Sequence, residues 1–209
     1  MIKLLGRQTS GNVQKVIFCL EETRTPYVRE DYGRQFGNTT TEAYRKLNPN
    51  AKVPTLIDGD AVIWESHTIV RYLAALHAPR LLGATPAERS LVERWMDWLL
   101  ATLNTPYVAV FRDVKKPAGE RAADYPAQCA DLVAALKILD GHLAGKEWFA
   151  LGRFTLAEIA LAPIVKRCLD FSIERPRLAE LERWQSAIDA RPAFAVATGA
   201  QPSALAKAS

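Results

Sequence analysis

Asn48-Pro49-Asn50-Ala51-Lys52-Val53-Pro54-Thr55-Leu56-Ile57-Asp58-Gly59, continued by Ala61-Val62-Ile63-Trp64-Glu65-Ser66-His67-Thr68-Ile69, decides how this 209-residue chain is read. Asn48-Pro49 stops a helix, because the residue before a proline is pushed out of the helical region. Residues 53–57 read as a strand that opens on a proline, one of the few strand positions that tolerates it. Asp58-Gly59 is a hairpin turn and residues 61–64 the returning strand. Ser66 stands where a helix over 66–77 needs an N-cap.

Working upstream, residues 2–5 are a short apolar run ending at Gly6 and read as a strand. Val13, Val16, Ile17 and Leu20 have helical spacing and place a helix over 13–22. Residues 26–31 alternate as a second strand, 33–41 form a polar loop and 42–47 a short helix. The order is βαβ, then α, then ββα. Downstream, residues 79–86 hold Pro79, Gly83 and Pro86 without periodicity and form a linker. It separates a domain at 1–78 from one at 87–209. The second domain carries no strand signal. It reads as helices over 87–111, 122–143, 155–171 and 177–190, with a short one after Pro192. Its tail, 201–209, is small and polar and is expected to fray. The fold class is α/β followed by all-α.

Composition narrows the function. The hydrophobic fraction is 49%, the charged fraction 24% and the net charge +4, with a pI near 9.0. The charges are scattered and form no Lys/Arg-rich arm, so no nucleic-acid partner is expected. Cys19, Cys129 and Cys168 are far apart and make no CxxC, which suits a reducing compartment. His67, His77 and His142 lack metal-ligand spacing, so no metal is expected. No apolar run reaches the length of a membrane span, and the first twelve residues have no apolar signal core. The expectation is a soluble cytoplasmic protein without membrane contact.

Three motifs make the topology specific. Residues 48–56, the run Trp64-Glu65-Ser66-His67-Thr68-Ile69, and Phe154-Thr155-Leu156-Ala157-Glu158-Ile159-Ala160 resemble the signatures of cytosolic glutathione transferases, at matching spacing. The stretch from Gly6 to Val16 resembles the serine-using theta and delta branch in bacteria. The resemblance covers nearly the whole chain. It implies a thioredoxin-like N-terminal domain (βαβαββα) that binds glutathione as cosubstrate, and an all-helical C-terminal domain that completes the site for an electrophile. It also implies a homodimer. The activity implied is addition of the glutathione thiolate to small hydrophobic electrophiles, in detoxification, with hydroperoxide reduction as a second outlet. Two alternatives stand: a non-catalytic binding protein on the same fold, and a glutathione-dependent isomerase or dehalogenase.

The resemblance gives individual residues roles, each beside a plainer one. A cis Val53–Pro54 bond would turn the Val53 backbone outward to pair with the cysteinyl unit of glutathione as an added strand; a trans proline opening a strand is the plain reading. Ser66, at a helix N-terminus, would hold the γ-glutamyl carboxylate and Glu65 the ammonium; equally, they are an N-cap and a solvated acid. Lys52 would reach the glycine carboxylate, with Arg34 a second candidate. A cysteine thiol is mostly protonated at neutral pH. Hydroxyl or amide donors at a helix N-terminus favour its thiolate. Ser10 and Asn12 are the candidates, with Thr9 behind them; all three also suit helix capping. Neither tyrosine nor cysteine is present in this loop, unlike tyrosine-type or omega and beta enzymes. Cys19 reads as core. Thr155-Leu156-Ala157-Glu158 is a capping box with a folding role. Trp95 and Trp98 read as core, while Tyr107, Phe111 and Arg112 are candidates for the electrophile pocket. Asp97 would reach the glutathione ammonium of the partner subunit.

Overall fold

Ile2–Leu5 forms β1 at the centre of a five-stranded sheet of order β4-β3-β1-β2-β5. The computed structural model describes residues 1–207. α1 (Gly11–Glu22) carries the chain over to β2 (Tyr27–Glu30), which pairs parallel to β1 with Leu4 opposite Arg29. After α2 (Glu42–Leu47), β3 (Thr55–Asp58) runs antiparallel to β1, with Leu4 opposite Leu56, and turns into β4 (Ala61–Trp64). α3 (Ser66–His77) follows. Leu4 and Leu56 are fully buried at the sheet centre. α1 buries Val13, Val16, Ile17 and Leu20, the stripe its periodicity announces, and packs against α3, where Lys15 meets His67 and Cys19 meets the Val70 carbonyl.

The chain divides into two units, residues 1–82 with 189 onward, and residues 83–188. This differs from the sequence expectation that the helical domain runs unbroken from 87 to 209. α9 (Pro192–Thr198) packs on α1 instead, with Phe194 edge-on to Phe18 at 5.1 Å. Gln8 Nε2 donates to the Val196 carbonyl at 2.7 Å, and Arg191 pairs with Glu22 at 2.8 Å. The segment expected to fray then adds β5 (Ala206–Lys207) parallel to β2. The exposed edge of β2 explains this: its unpaired backbone groups accept any strand within reach. Residues 208 and 209 lie outside the described residues. Pro79–Leu81, expected as linker, is a 3₁₀ turn of the first unit.

In the second unit, α4 (Pro86–Trp98) and α5 (Asn104–Asp113) replace the single expected helix and are joined by a π-helical turn, Leu99–Leu103. Pro106 accounts for the break, since it has no N–H and its ring crowds the carbonyl four residues earlier. α6 (Tyr125–His142), α7 (Leu156–Asp170) and α8 (Ala179–Asp189) follow. α7 is buried over most of its length and opens with the capping box. Glu158 does more than cap. Its carboxylate accepts from the Thr155 N–H at 2.8 Å, the Thr155 hydroxyl at 2.7 Å and the Phe149 N–H at 2.7 Å. Complete burial pushes its carboxyl up to about 7, against the pull of these hydrogen bonds. Trp95 is core, against His142 and Phe149, while Trp98 is only half-buried beside it.

Candidate active site

The loop between β1 and α1 is set by Gly6. Its N–H donates to the Glu30 carbonyl at 2.8 Å and its carbonyl accepts from Arg29 at 3.0 Å. A Cβ at Gly6 would lie 2.5 Å from Val13 Cγ2 and 3.4 Å from Val53 Cβ. Only glycine lets the loop tuck against both α1 and the 48–55 segment. α1 starts two residues before its sequence expectation, so Ser10 is the N-cap residue, with extended backbone. Its backbone caps conventionally, as the Ser10 carbonyl accepts from the Gln14 N–H at 2.9 Å. Its side chain makes no capping hydrogen bond, although it is nine-tenths buried. A hydroxyl at a helix N-terminus without an internal task can donate to a ligand there. Asn12, the second helical residue, and Thr9 are exposed beside it.

The Val53–Pro54 bond is cis, at the entrance to β3. Pro54 is buried and Val53 half-buried. The preceding carbonyl, that of Lys52, accepts from Tyr44 Oη at 2.7 Å and Asn48 Nδ2 at 2.9 Å. Both groups also meet the Thr55 hydroxyl, at 2.9 and 3.1 Å. Asn48 Oδ1 accepts from the Asn50 N–H at 3.0 Å. This buried network fixes the loop on both sides of Val53 and leaves the Lys52 side chain exposed. Sequence reasoning missed it: Asn48 was read only as a helix stop and Tyr44 not at all. The Asn-Pro-Asn signal could have found the Asn48 turn, since such side chains hydrogen-bond backbone two residues on.

At α3 the sequence reading needs a correction. Glu65, not Ser66, is the N-cap residue, and Ser66 is the first residue of the helix. Glu65 has φ +68°, ψ 117°, left-handed backbone that is strained for a non-glycine residue. No side chain caps this end. The first-turn N–H groups of Ser66, His67 and Thr68 precede the first intrahelical bond, Ile69 N–H to the Glu65 carbonyl at 2.9 Å. Ser66 is 5% exposed and Glu65 is exposed. The N–H groups and the helix dipole together suit a carboxylate. Behind them, Lys15 Nζ lies 3.1 Å from His67 Nε2. Burial lowers the Lys15 amine to about 7 although Glu65 pulls it back up; burial, then Lys15 and Arg71, depress His67 to about 2.

The structure therefore places Thr9, Ser10, Asn12, Lys52, Val53, Pro54, Glu65 and Ser66 in one unit. The β1–α1 loop and Val53 meet at Gly6, and Gly33 sits 3.4 Å from Val53 by its virtual Cβ. Arg34, next to Gly33, is exposed. The remaining candidates belong to the helical unit. Tyr107 is buried and stacks on Phe171 at 6.0 Å, with Phe111 half-buried at 5.9 Å from Tyr107 and Arg167 over its ring at 5.9 Å. Arg112 and Asp97 are exposed. Among the described residues no group of three His, Cys, Asp or Glu could hold a metal, and no helix is long and apolar enough to cross a membrane.

A strand-bounded cis-proline beside two uncapped helix N-termini, on a βαβαββα unit joined to a helical one, defines a thioredoxin-like protein built to hold an anionic, peptide-like ligand. Comparison with known proteins makes the class specific. Residues 9–76 match the family model of the glutathione S-transferase N-terminal domain, and residues 122–195 that of the C-terminal domain. The chain is 37% identical to glutathione S-transferase GstB of Escherichia coli strain K12, over 92% of this chain and 95% of that one. It superimposes on the glutathione-bound theta class glutathione S-transferase of Xanthomonas axonopodis pv. citri with a TM-score of 0.90, at 39% identity over 98% of both chains. Elongation factor 1-gamma of Prunus avium is 32% identical over 73% of this chain but only 36% of its own length. The chain belongs to the glutathione S-transferase family.

Proposed function

We propose that this protein is a serine-type glutathione transferase that ionises the glutathione thiol at α1 and adds it to small hydrophobic electrophiles. The observation that carries the serine assignment is the Ser10 side chain: it occupies the N-cap position yet makes no capping bond. Its hydroxyl donates to the glutathione sulfur, which favours the thiolate. Asn12, one helical position further, is the second donor, and Thr9 the third. The cysteinyl backbone pairs with Val53 beside cis-Pro54. The γ-glutamyl carboxylate lies on the N–H groups of the α3 first turn and the Ser66 hydroxyl, with its ammonium toward Glu65. Lys52, with Arg34, takes the glycine carboxylate.

In the reaction the thiol proton goes to solvent, the sulfur lone pair forms a bond to the electrophilic carbon, and the leaving group departs with its electron pair. With a hydroperoxide, the same thiolate attacks the terminal oxygen, the O–O bond breaks and the alkoxide leaves as the alcohol after taking a proton. A second glutathione thiol then attacks the sulfenic acid so formed, giving the disulfide and releasing water. Tyr107, Phe111 and Arg112 supply the surface for the electrophile. The protein works as a cytoplasmic homodimer, with Asp97 directed to the partner's glutathione.

Two assays test this. Retention on immobilised glutathione followed by turnover of an aryl halide supports the transferase reading; retention without turnover of any electrophile or hydroperoxide in a panel would leave a binding protein. Light scattering at micromolar concentration should give a particle of twice the 23.2 kDa chain mass, and a monomer alone would refute the dimer.

A further inference from the structure

Lys15 is an expensive residue in the place it occupies. It is 1% exposed, five residues beyond Ser10 on the face of α1 that meets α3. Its amine touches one polar group among the described residues, His67 Nε2 at 3.1 Å. Burying an ammonium with so few partners costs several kcal/mol, and an apolar residue of the same length would pack without that cost. His67 is equally unusual. It is 3% exposed, and its other ring nitrogen, Nδ1, is buried without a hydrogen-bond partner among the described residues. Its ring stays neutral. When the Lys15 amine is charged it can only donate, so Nε2 then accepts from it. The backbone N–H of this same His67 belongs to the first turn of α3, beside Ser66.

We propose that Lys15 is a positioning residue of the carboxylate site: its amine lies directly behind the α3 N-terminus, and a carboxylate bound there makes that amine take up a proton. The inference rests on the proposed glutathione site and deepens it. The physical basis is mutual. A bound carboxylate adds negative charge in front of His67, and a buried amine 3.1 Å behind the ring gains from being charged. The groups facing the amine are few. From α3 they are His67 and Glu65, with Arg71 acting on the His67 ring. From α9, Arg191 is held by Glu22 at the opposite end of α1. From the sheet, Lys3 is paired with Glu30. The His67 ring stays neutral, so of the two groups in contact the Lys15 amine is the one that changes charge near neutral pH.

The sign follows from linkage. A ligand that raises the amine's affinity for a proton binds more weakly as pH rises through the free amine's titration. If binding raises it by about one unit, affinity falls about fivefold between about pH 6 and about pH 8, with uptake of about half a proton at about pH 7.5. The probe is S-methylglutathione, whose blocked thiol cannot contribute a proton of its own. Calorimetry on the full chain, in buffers of different ionisation enthalpy, reads the protons directly. Wild type should take up protons and Lys15→Met should bind with none and with a flat pH profile. Lys15→Arg, a permanent cation, should also be flat, and serves if the Met variant does not fold. A merely structural lysine would leave the proton count at zero in wild type, and that result overturns the inference while leaving the glutathione site standing. Uptake that persists in either variant assigns the proton elsewhere and also overturns it. Absence of S-methylglutathione binding by wild type overturns both readings.

Discussion

Replacing Ser10 by alanine separates two jobs that a serine at a helix N-terminus performs. A serine whose side chain caps its helix costs about 0.5–2 kcal/mol when truncated to alanine. Ser10 makes no side-chain capping bond, and its backbone contacts, to the Arg7 carbonyl at 3.1 Å and from the Gln14 N–H at 2.9 Å, survive the change. The folded protein should therefore lose little: the melting temperature should move by less than about 2 °C. The thiol should respond strongly. Loss of one hydrogen bond to an anion costs about 1.5–3 kcal/mol. At about 1.36 kcal/mol per unit, the bound thiol should rise by roughly one to two pKa units. Affinity for glutathione should barely change, because the hydroxyl meets the sulfur and not the carboxylates. The α1 dipole remains, so part of the activation survives. The assay is thiolate absorbance of the binary complex against pH, for wild type, Ser10→Ala and Asn12→Ala, beside thermal melts. Asn12→Ala should shift the titration less than Ser10→Ala, and the reverse order would exchange their roles. A lower melting temperature with an unshifted titration would show that Ser10 caps α1 and does nothing to sulfur. Identical titrations in all three would pass the assignment to Thr9 or to a backbone N–H.

Ser66→Ala should weaken glutathione binding by about 1.5–3 kcal/mol in calorimetry while leaving kcat nearly unchanged, since the lost contact is the same in ground and transition states. Gly6→Ala puts a carbon 2.5 Å from Val13 Cγ2; it should cost about 1–3 kcal/mol of stability and raise KM for glutathione, and Gly6→Ala/Val13→Ala should recover much of both. Burial raises Glu158 from its ordinary 4.5 to about 7, so the folded protein holds a proton there that the unfolded chain has released. This contribution to stability is complete below about pH 4.5 and is lost as pH rises through about 7. Denaturation of wild type against Glu158→Gln should show the difference in stability between them shifting across that window, against wild type as pH rises, and a constant difference would refute the assignment.

Much of the first unit was legible because its signals are local. Residues 2–5 and 61–64, the periodic stripe on α1, the Asp58-Gly59 turn and the prolines at 49 and 54 each fix backbone within a few residues, and the observed elements fall within two residues of those readings. The three motifs sufficed for the family, and from it come the roles proposed for Ser10, Val53, Pro54 and Ser66. What the sequence could not supply was partnership across distance. An amphipathic α9 does not say which surface buries it, and α1 claims it through Phe18 and Phe194, 176 positions apart. An edge strand does not name the segment that completes it, and the tail does so as β5. Residue type misplaced the cap of α3: the N-cap is Glu65, in left-handed backbone, one residue before the expected Ser66. Nor does any spacing between Lys15 and His67 suggest that they touch. That contact exists because α1 and α3 pack on each other, and only packing decides which buried polar groups must satisfy one another.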